Sequence, residues 1–203
     1  MRVLQGLRVS NNTRLTGLSS FALNGDLEVT SNAALSSVDP ELVFGDEVGA
    51  VVITDNPLLI SAPTLAPVSR VHGAVDVERN PLLAGLFGPE LVRIEGAVRV
   101  HDNAGLAALQ YPVLALVGSP LEVSSNAALQ TLELPALPDV AGALSIDGNP
   151  LLHHLDLASL THSDDFHVDD NPQLPACEVL AVFGHTSGAR EQSGNDDTAT
   201  CDP

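Results

Sequence analysis

The side chains of this chain best placed to do chemistry are carboxylates about one repeat apart. Glu78 and Asp102 lie 24 residues apart, and Asp147 and Asp169 lie 22 apart. If the chain repeats with that period, each pair falls on adjacent rungs, within the roughly 5 to 9 Å that paired carboxylates need to cleave a glycosidic bond. Any solenoid with acidic outward positions offers such pairs, and aromatic platforms for sugar rings are missing around them, so catalysis is not the expectation. A second group, Asp147, His153, His154, His162, Asp164, Asp165, His167, Asp169 and Asp170, mixes ligands suited to Ca²⁺ and to Zn²⁺. Its spacings match no ligand motif, and neither a metal nor a cofactor is expected. A third group, Asp76, Glu78, Arg79, Arg99, His101 and Asp102, with Glu122 and Asp147 on the following repeats, combines both signs of charge. That chemistry is recognition by complementary charge, set against the plainer reading of a solvated strand face whose opposite charges pair along the stack.

The element that must position these residues is a repeat. An apolar-x-apolar-x-x-Asn-x-x-Leu tract recurs eight times, at Asn12, Asn32, Asn56, Asn80, Asn103, Asn126, Asn149 and Asn171, with spacings of 20, 24, 24, 23, 23, 23 and 22 residues. This is the period of a solenoid coil. Five and three residues before each Asn stand Leu7/Val9, Leu27/Val29, Val51/Ile53, Val75/Val77, Val98/Val100, Leu121/Val123, Leu144/Ile146 and Phe166/Val168. Alternating, mostly β-branched residues predict one short strand per coil with one face buried. The residues between them then point outward, which places Asp76, Arg99 and Glu122 in one exposed column and Glu78, His101 and Asp147 in the next.

Three and six residues after each Asn come further apolar positions, chiefly Leu, and an apolar site eleven after it closes the far side, with Pro67 the exception in the third repeat. The Asn itself must be paired, since an orphaned amide at an apolar corner is costly. Eight stacked amides that both donate and accept predict a continuous ladder, and Asn also tolerates the left-handed backbone of a corner. Glycine seven before the Asn, as in Gly25, Gly49, Gly73, Gly96 and Gly142, marks the opposite corner.

The pattern breaks after Leu174, dividing the chain into a solenoid of eight repeats over residues 1–174 and a cap over 175–203. Pro175 followed by Ala176–Phe183 and Gly184 predicts a short helix lying over the last coil, and Thr198–Cys201 offers a final strand. Cys177 replaces the inward residue of the eighth repeat, and Cys201 lies 24 positions later in a segment that returns to the same end. A disulfide between them is expected over two buried thiols, and it points to an oxidising compartment. No counterpart caps the amino end, so the expectation there is truncation or an exposed edge able to self-associate.

Composition narrows the partners. Eight basic residues, all Arg, against 26 acidic ones give a net charge of −18, which disfavours nucleic acid and anionic membrane surfaces as partners. No apolar run approaches the roughly 18 residues of a membrane span, and because Met1-Arg2-Val3-Leu4 enters the first repeat directly, a signal peptide is not expected within this sequence.

The tracts GAVRVHDNAGLAALQYPVL and GALSIDGNPLLHHLDLASL resemble receptor L-domain-type leucine-rich repeats, a texture shared by fungal cell-wall proteins and secreted or outer-surface bacterial proteins. The ending from NPQLPAC to SGNDDTATC looks like the cysteine-bearing cap of the bacterial examples, and the absence of Lys favours that branch. The resemblance covers roughly Leu4 to Cys201. It implies an all-β, right-handed parallel solenoid with a single strand per coil, eight coils and a short helical cap. It also implies an extracellular or outer-surface interaction module that recognises an unknown protein or glycan through its exposed sheet. The alternative is a structural wall or adhesion component that self-associates, and a carbohydrate-active β-helix enzyme ranks below both.

Overall fold

Apolar residues recurring at the same offsets in every coil can all be buried only if the coils stack in register, one above another. A computed structural model describes residues 3–18, 22–38, 43–63, 65–184 and 186–201 and shows this arrangement, a parallel β-solenoid. The front sheet stacks the strands that precede each Asn: Val3–Ser10, Ala22–Thr30, Val51–Thr54, Val75–Glu78, Val98–His101, Leu121–Ser124, Leu144–Asp147 and His162–Asp169. Their register is the one the repeat dictates, with Val75, Val98, Leu121, Leu144 and Phe166 in one row and Val77, Val100, Val123, Ile146 and Val168 in another. From the second coil onward these inward residues are buried, whereas Leu7 and Val9 of the first coil are only half-buried.

Each coil holds more than the single strand expected. A rear sheet stacks Gly85–Phe87, Ala108–Gln110, Thr131–Glu133 and His154–Asp156, five to seven residues after the Asn. A lateral column stacks Glu47–Val48, Arg70–Val71, Arg93–Ile94, Leu116–Val117 and Asp139–Val140, and it joins the front sheet through the long strand His162–Asp169. These segments are two or three residues long, too short for alternation to be read from sequence. Their inward residues, Val71, Ile94, Val117 and Val140, are nonetheless fully buried. The apolar site eleven after the Asn is buried as expected in Leu91, Leu114, Leu137 and Leu160, while the side chain of Val43 lies outside the described residues. In the third repeat Val68 fills the place next to Pro67.

The asparagines form the ladder. In Asn80 the backbone N–H and the side-chain Nδ2 donate to Oδ1 of Asn103 at 3.0 and 3.3 Å, and Nδ2 also donates to the carbonyls of Ile53 and Glu78 at 2.8 and 2.9 Å. The same N–H and Nδ2 bonds link Asn12 through Asn171, so the corner amides from Asn32 onward are fully buried yet paired. The left-handed backbone falls on the residue before the Asn, not on the Asn itself. Asn11, Ser31, Asp55, Arg79, Asp102, Ser125, Gly148 and Asp170 have φ between 52° and 61°. The opposite corner needs glycine for close approach of successive coils. A Cβ on Gly96 would sit 2.7 Å from the backbone of Gly73.

At the carboxyl end the helix Ala176–Phe183 follows Pro175, and the Cys177–Cys201 disulfide forms with a Cα–Cα distance of 5.9 Å. Closing a loop of this size stabilises by about 3 kcal/mol in the chain-entropy picture. The helix docks on the seventh coil through Glu178, which accepts a bond from the Leu155 N–H at 3.1 Å, and on the eighth through an edge-on contact of Phe183 with Phe166, ring centroids 5.0 Å apart. The expected strand at Thr198–Cys201 is replaced by a turn in which Asp196 Oδ1 accepts from the N–H groups of Thr198 and Ala199. The last strand is instead Ser187–Ser193, paired with His162–Asp169, and Asn195 accepts from Asn171 as a ninth ladder residue. The solenoid thus runs past residue 174. This rung escapes the sequence pattern because its inward positions hold Arg190 and Gln192, and Thr198 stands in place of the Leu.

Candidate functional site

Outward residues of the front sheet are held about 4.8 Å apart by strand pairing, so their charges form a fixed lattice and not a set of independent side chains. Arg99 stands between Asp76 and Glu122 of the neighbouring strands, with Nη1 3.3 Å from Asp76 Oδ1 and Nε 3.6 Å from Glu122 Oε2. In the next column Glu78 is shared. Its Oε2 accepts from Arg79 Nη1 at 2.7 Å, and its Oε1 lies 3.1 Å from His101 Nε2. The other ring nitrogen of His101 lies 3.0 Å from Asp102 Oδ2.

Arg79 also grips Asp55 with two bonds, Nε to Oδ1 at 2.6 Å and Nη2 to Oδ2 at 3.0 Å. This fork holds the Asp55 carboxyl below its ordinary range and raises the Arg79 guanidinium further above neutrality. Arg79 and Asp55 both occupy the left-handed corner column, one coil apart. Seven of the eight sequence-named residues, Asp76, Glu78, Arg79, Arg99, His101, Asp102 and Glu122, therefore meet in two adjoining ion-pair chains. Asp55, the residue before Asn56, belongs with them.

Asp147 does not join. Ser124 separates it from His101 in the column, and its neighbours are Asp169 and Asp170. Burial, then the charges of Asp170 and Asp169, push its carboxyl above the usual range. The histidines of that end are dispersed. His153 bonds the Leu151 carbonyl at 3.1 Å, His162 meets Ser187 Oγ at 2.7 Å, and His167 lies 3.6 Å from Glu191. Among the described residues no three His, Cys, Asp or Glu side chains converge as a group able to hold a metal.

A further cluster, not singled out from sequence, sits beside the lateral column. Arg70 donates through Nε to Glu95 Oε1 at 2.9 Å and through Nη2 to the same oxygen, while His72 lies 3.0 Å from Glu95 Oε2 and 2.9 Å from Glu47 Oε2. Bonding to Glu47 first, then to Glu95, raises the His72 pKa, and bonding to Arg70 first, then to His72, lowers that of Glu95. The signal was present as spacing, since Glu47, Arg70 and Glu95 are 23 and 25 residues apart. It was masked because the lateral strands are only two residues long. On the rear side a shallow hollow of about 330 Å³ is lined by Ala66, Phe87, Pro89, Gln110, Pro112 and Glu133, none of them a front-sheet residue.

The fold and this face together define a parallel β-solenoid, disulfide-tied at one end, that displays a rigid two-signed charge lattice. Known protein families, curated proteins and solved structures show no match to the chain.

Proposed function

We propose that this chain is a non-enzymatic interaction module of the receptor L-domain, leucine-rich-repeat kind, working outside the cell or on its outer surface. It would recognise a protein or glycan through the front sheet. The observation that carries this reading is the preset charge lattice from Asp55 to Glu122, in which every charge is paired, all but Asp102 with a neighbour on an adjoining coil. Charges already oriented lose little freedom on binding, and their pattern selects partners by complementarity. The disulfide is compatible with an extracellular setting, and among the described residues no helix is long and apolar enough to cross a membrane.

Support for a binding rather than a hydrolytic role comes from the state of the carboxylates. Glu78 is ion-paired to Arg79 and His101, and Asp102 to His101, so both carboxylates of this pair are already engaged. The test is retention of the intact protein on glycan and secreted-protein arrays, run beside Arg99→Glu and His101→Ala. Retention that both variants abolish, at a melting temperature within a few degrees of the parent, supports the reading. Equal retention by all three proteins moves the site elsewhere, and absence of any retention overturns the proposal.

A further inference from the structure

The charged side chains of the front lattice are engaged with one another, whereas the polar side chains of the rear hollow are not. Backbone bonds from the N–H groups of Leu65, Gly88 and Tyr111 to the carbonyls of Phe87, Gln110 and Glu133 fix the register of the coils there. Phe87, Gln110 and Glu133 line up in one outward column. The buried Leu65, Gly88 and Tyr111 are each followed by Ala66, Pro89 and Pro112, which the same bonds line up in a second column. The hollow of about 330 Å³ is the groove between these two columns, and it runs along the stack axis.

Its aromatic wall belongs to the fourth coil alone. A Cβ on Gly85 would lie 2.6 Å from Cε2 and 2.7 Å from Cζ of Phe87, so the ring leans back over the glycine. In the next two coils Ala108 and Thr131 stand in register with Gly85, and their own side chains close that space. Phe87 keeps 43% of its surface in water. Among the described residues the side chains of Gln110 and Glu133 make no hydrogen bond or ion pair, so their polar atoms are open to a ligand.

We propose that this groove is a second binding site, for a neutral oligosaccharide of at least two linked pyranose rings lying along the stack. The Phe87 ring takes the C–H face of one sugar. The Gln110 amide donates to and accepts from hydroxyls, and the Glu133 carboxylate accepts. Phe87 and Glu133 are two rungs apart, roughly 10 Å at strand spacing, which is the reach of two joined sugar rings and not of one. Ala66, Pro89 and Pro112 form a rigid opposite wall that loses little freedom on binding.

Other ligand classes fit less well. No basic residue lines the groove, and Glu133 together with a net charge of −18 repels phosphates and acidic sugars. The two-rung span between ring and carboxylate disfavours a small ammonium ligand, whose cation–π contact reaches only about 6 Å. The site is independent of what the front sheet binds.

The test is calorimetry and saturation-transfer NMR on the full chain with neutral linear oligomers of glucose, mannose, galactose and N-acetylglucosamine. Galacturonate oligomers and choline serve as charged controls. The expected result is that at least one neutral oligomer binds with a Kd of about 1 mM or tighter, and its single sugar about tenfold more weakly. Phe87→Ala and Gln110→Ala should each weaken binding about tenfold, and Arg99→Glu should leave it unchanged. Both rear side chains point outward, and thermal melts check that each variant is folded. Binding of no neutral oligomer, preference for either charged control, or equal binding by Phe87→Ala overturns the proposal. Loss in Arg99→Glu with retention in Phe87→Ala overturns it too, by assigning the sugar to the front sheet.

Discussion

Two polar stacks run the length of this molecule on the same rung spacing, and they differ in almost every energetic respect. The corner asparagines from Asn32 to Asn171 are fully buried, and each donates three or four hydrogen bonds to its own and neighbouring coils and accepts two more at Oδ1, as Asn80 does. Two positions away along the chain, Glu78 and His101 face outward, and Arg79 and Arg99 keep 46% and 40% of their side-chain surface in water. Periodicity alone therefore does not tell a structural column from a functional one; burial does. A buried amide has no water to fall back on, so its column must hold one residue type in every coil. The exposed columns are free to vary, and they do: Val52, Asp76, Arg99, Glu122, Ser145 and His167 occupy one register.

The sharpest way to break this contrast is Asn103→Ala. It removes the acceptor for the Asn80 N–H and Nδ2 and the Nδ2 bond to the carbonyl of Val77 in the interior. At about 1 to 3 kcal/mol for each stranded buried group, a loss of roughly 3 to 5 kcal/mol is expected in denaturant unfolding. Asn12→Ala, at the half-exposed end, should lose far less. Equal losses at the two positions would mean that burial does not set the value of the ladder.

Arg79→Ala tests the other stack. Its two-pronged grip on Asp55 and its bond to Glu78 are well formed, but all three side chains touch solvent. The expected cost is about 1 kcal/mol or less, shrinking further in high salt. A loss as large as that of Asn103→Ala would promote the charge lattice to a folding element.

A smaller effect of opposite sign is expected at Ser125, whose φ of 56° places an L-residue in the left-handed region. Glycine already fills this column at Gly148 and Gly194. Ser125→Gly relieves a strain of about 1 kcal/mol and pays back part of it in unfolded-state entropy. A net gain of up to about 0.5 kcal/mol in unfolding free energy should follow, and a measurable loss would show that the serine hydroxyl, not the backbone, holds this corner.

How legible this was from sequence follows the same division. The Asn column is invariant and the inward columns are apolar in every repeat because burial constrains them, so the coil, its front strand and the ladder could be read directly. The lateral and rear strands could not, since segments such as Arg70–Val71 offer no alternation. The ninth rung hid because polar residues stand at its inward positions. Outward positions gave the candidate site as columns, and the lattice of Asp76, Arg99 and Glu122 was legible that far. Which carboxylate each cation prefers was not, because Arg79 has carboxylates within reach on both its own coil and the preceding one, Glu78 and Asp55.

The Arg70–His72–Glu95–Glu47 cluster beside the lateral column carries the comparison to its weakest term. The ladder contains no titratable group, so its contribution should not change with pH. The cluster should respond, with a sign that follows from its pKa shifts. His72 titrates above its ordinary 6.5 in the folded chain because protonation lets it donate to Glu47 and Glu95. What it adds to stability is therefore full below pH 6.5 and disappears as pH climbs through its folded pKa. Glu95 titrates below its ordinary 4.5, so its share is present above that pH and is lost as acid carries it through its folded value. Both groups contribute together in the window between about pH 4.5 and 6.5. All of them are solvent-exposed, so the melting temperature should drift down only slightly from pH 6 to 8. The residue-level check is the His72 ring resonance in a proton NMR titration. Its midpoint should lie above 6.5 and fall most in Glu47→Gln, less in Glu95→Gln, whose loss also releases Arg70. A midpoint at or below 6.5 in the parent protein would show that solvent screening has cancelled the cluster, leaving the buried stack as the only polar column that matters to the fold.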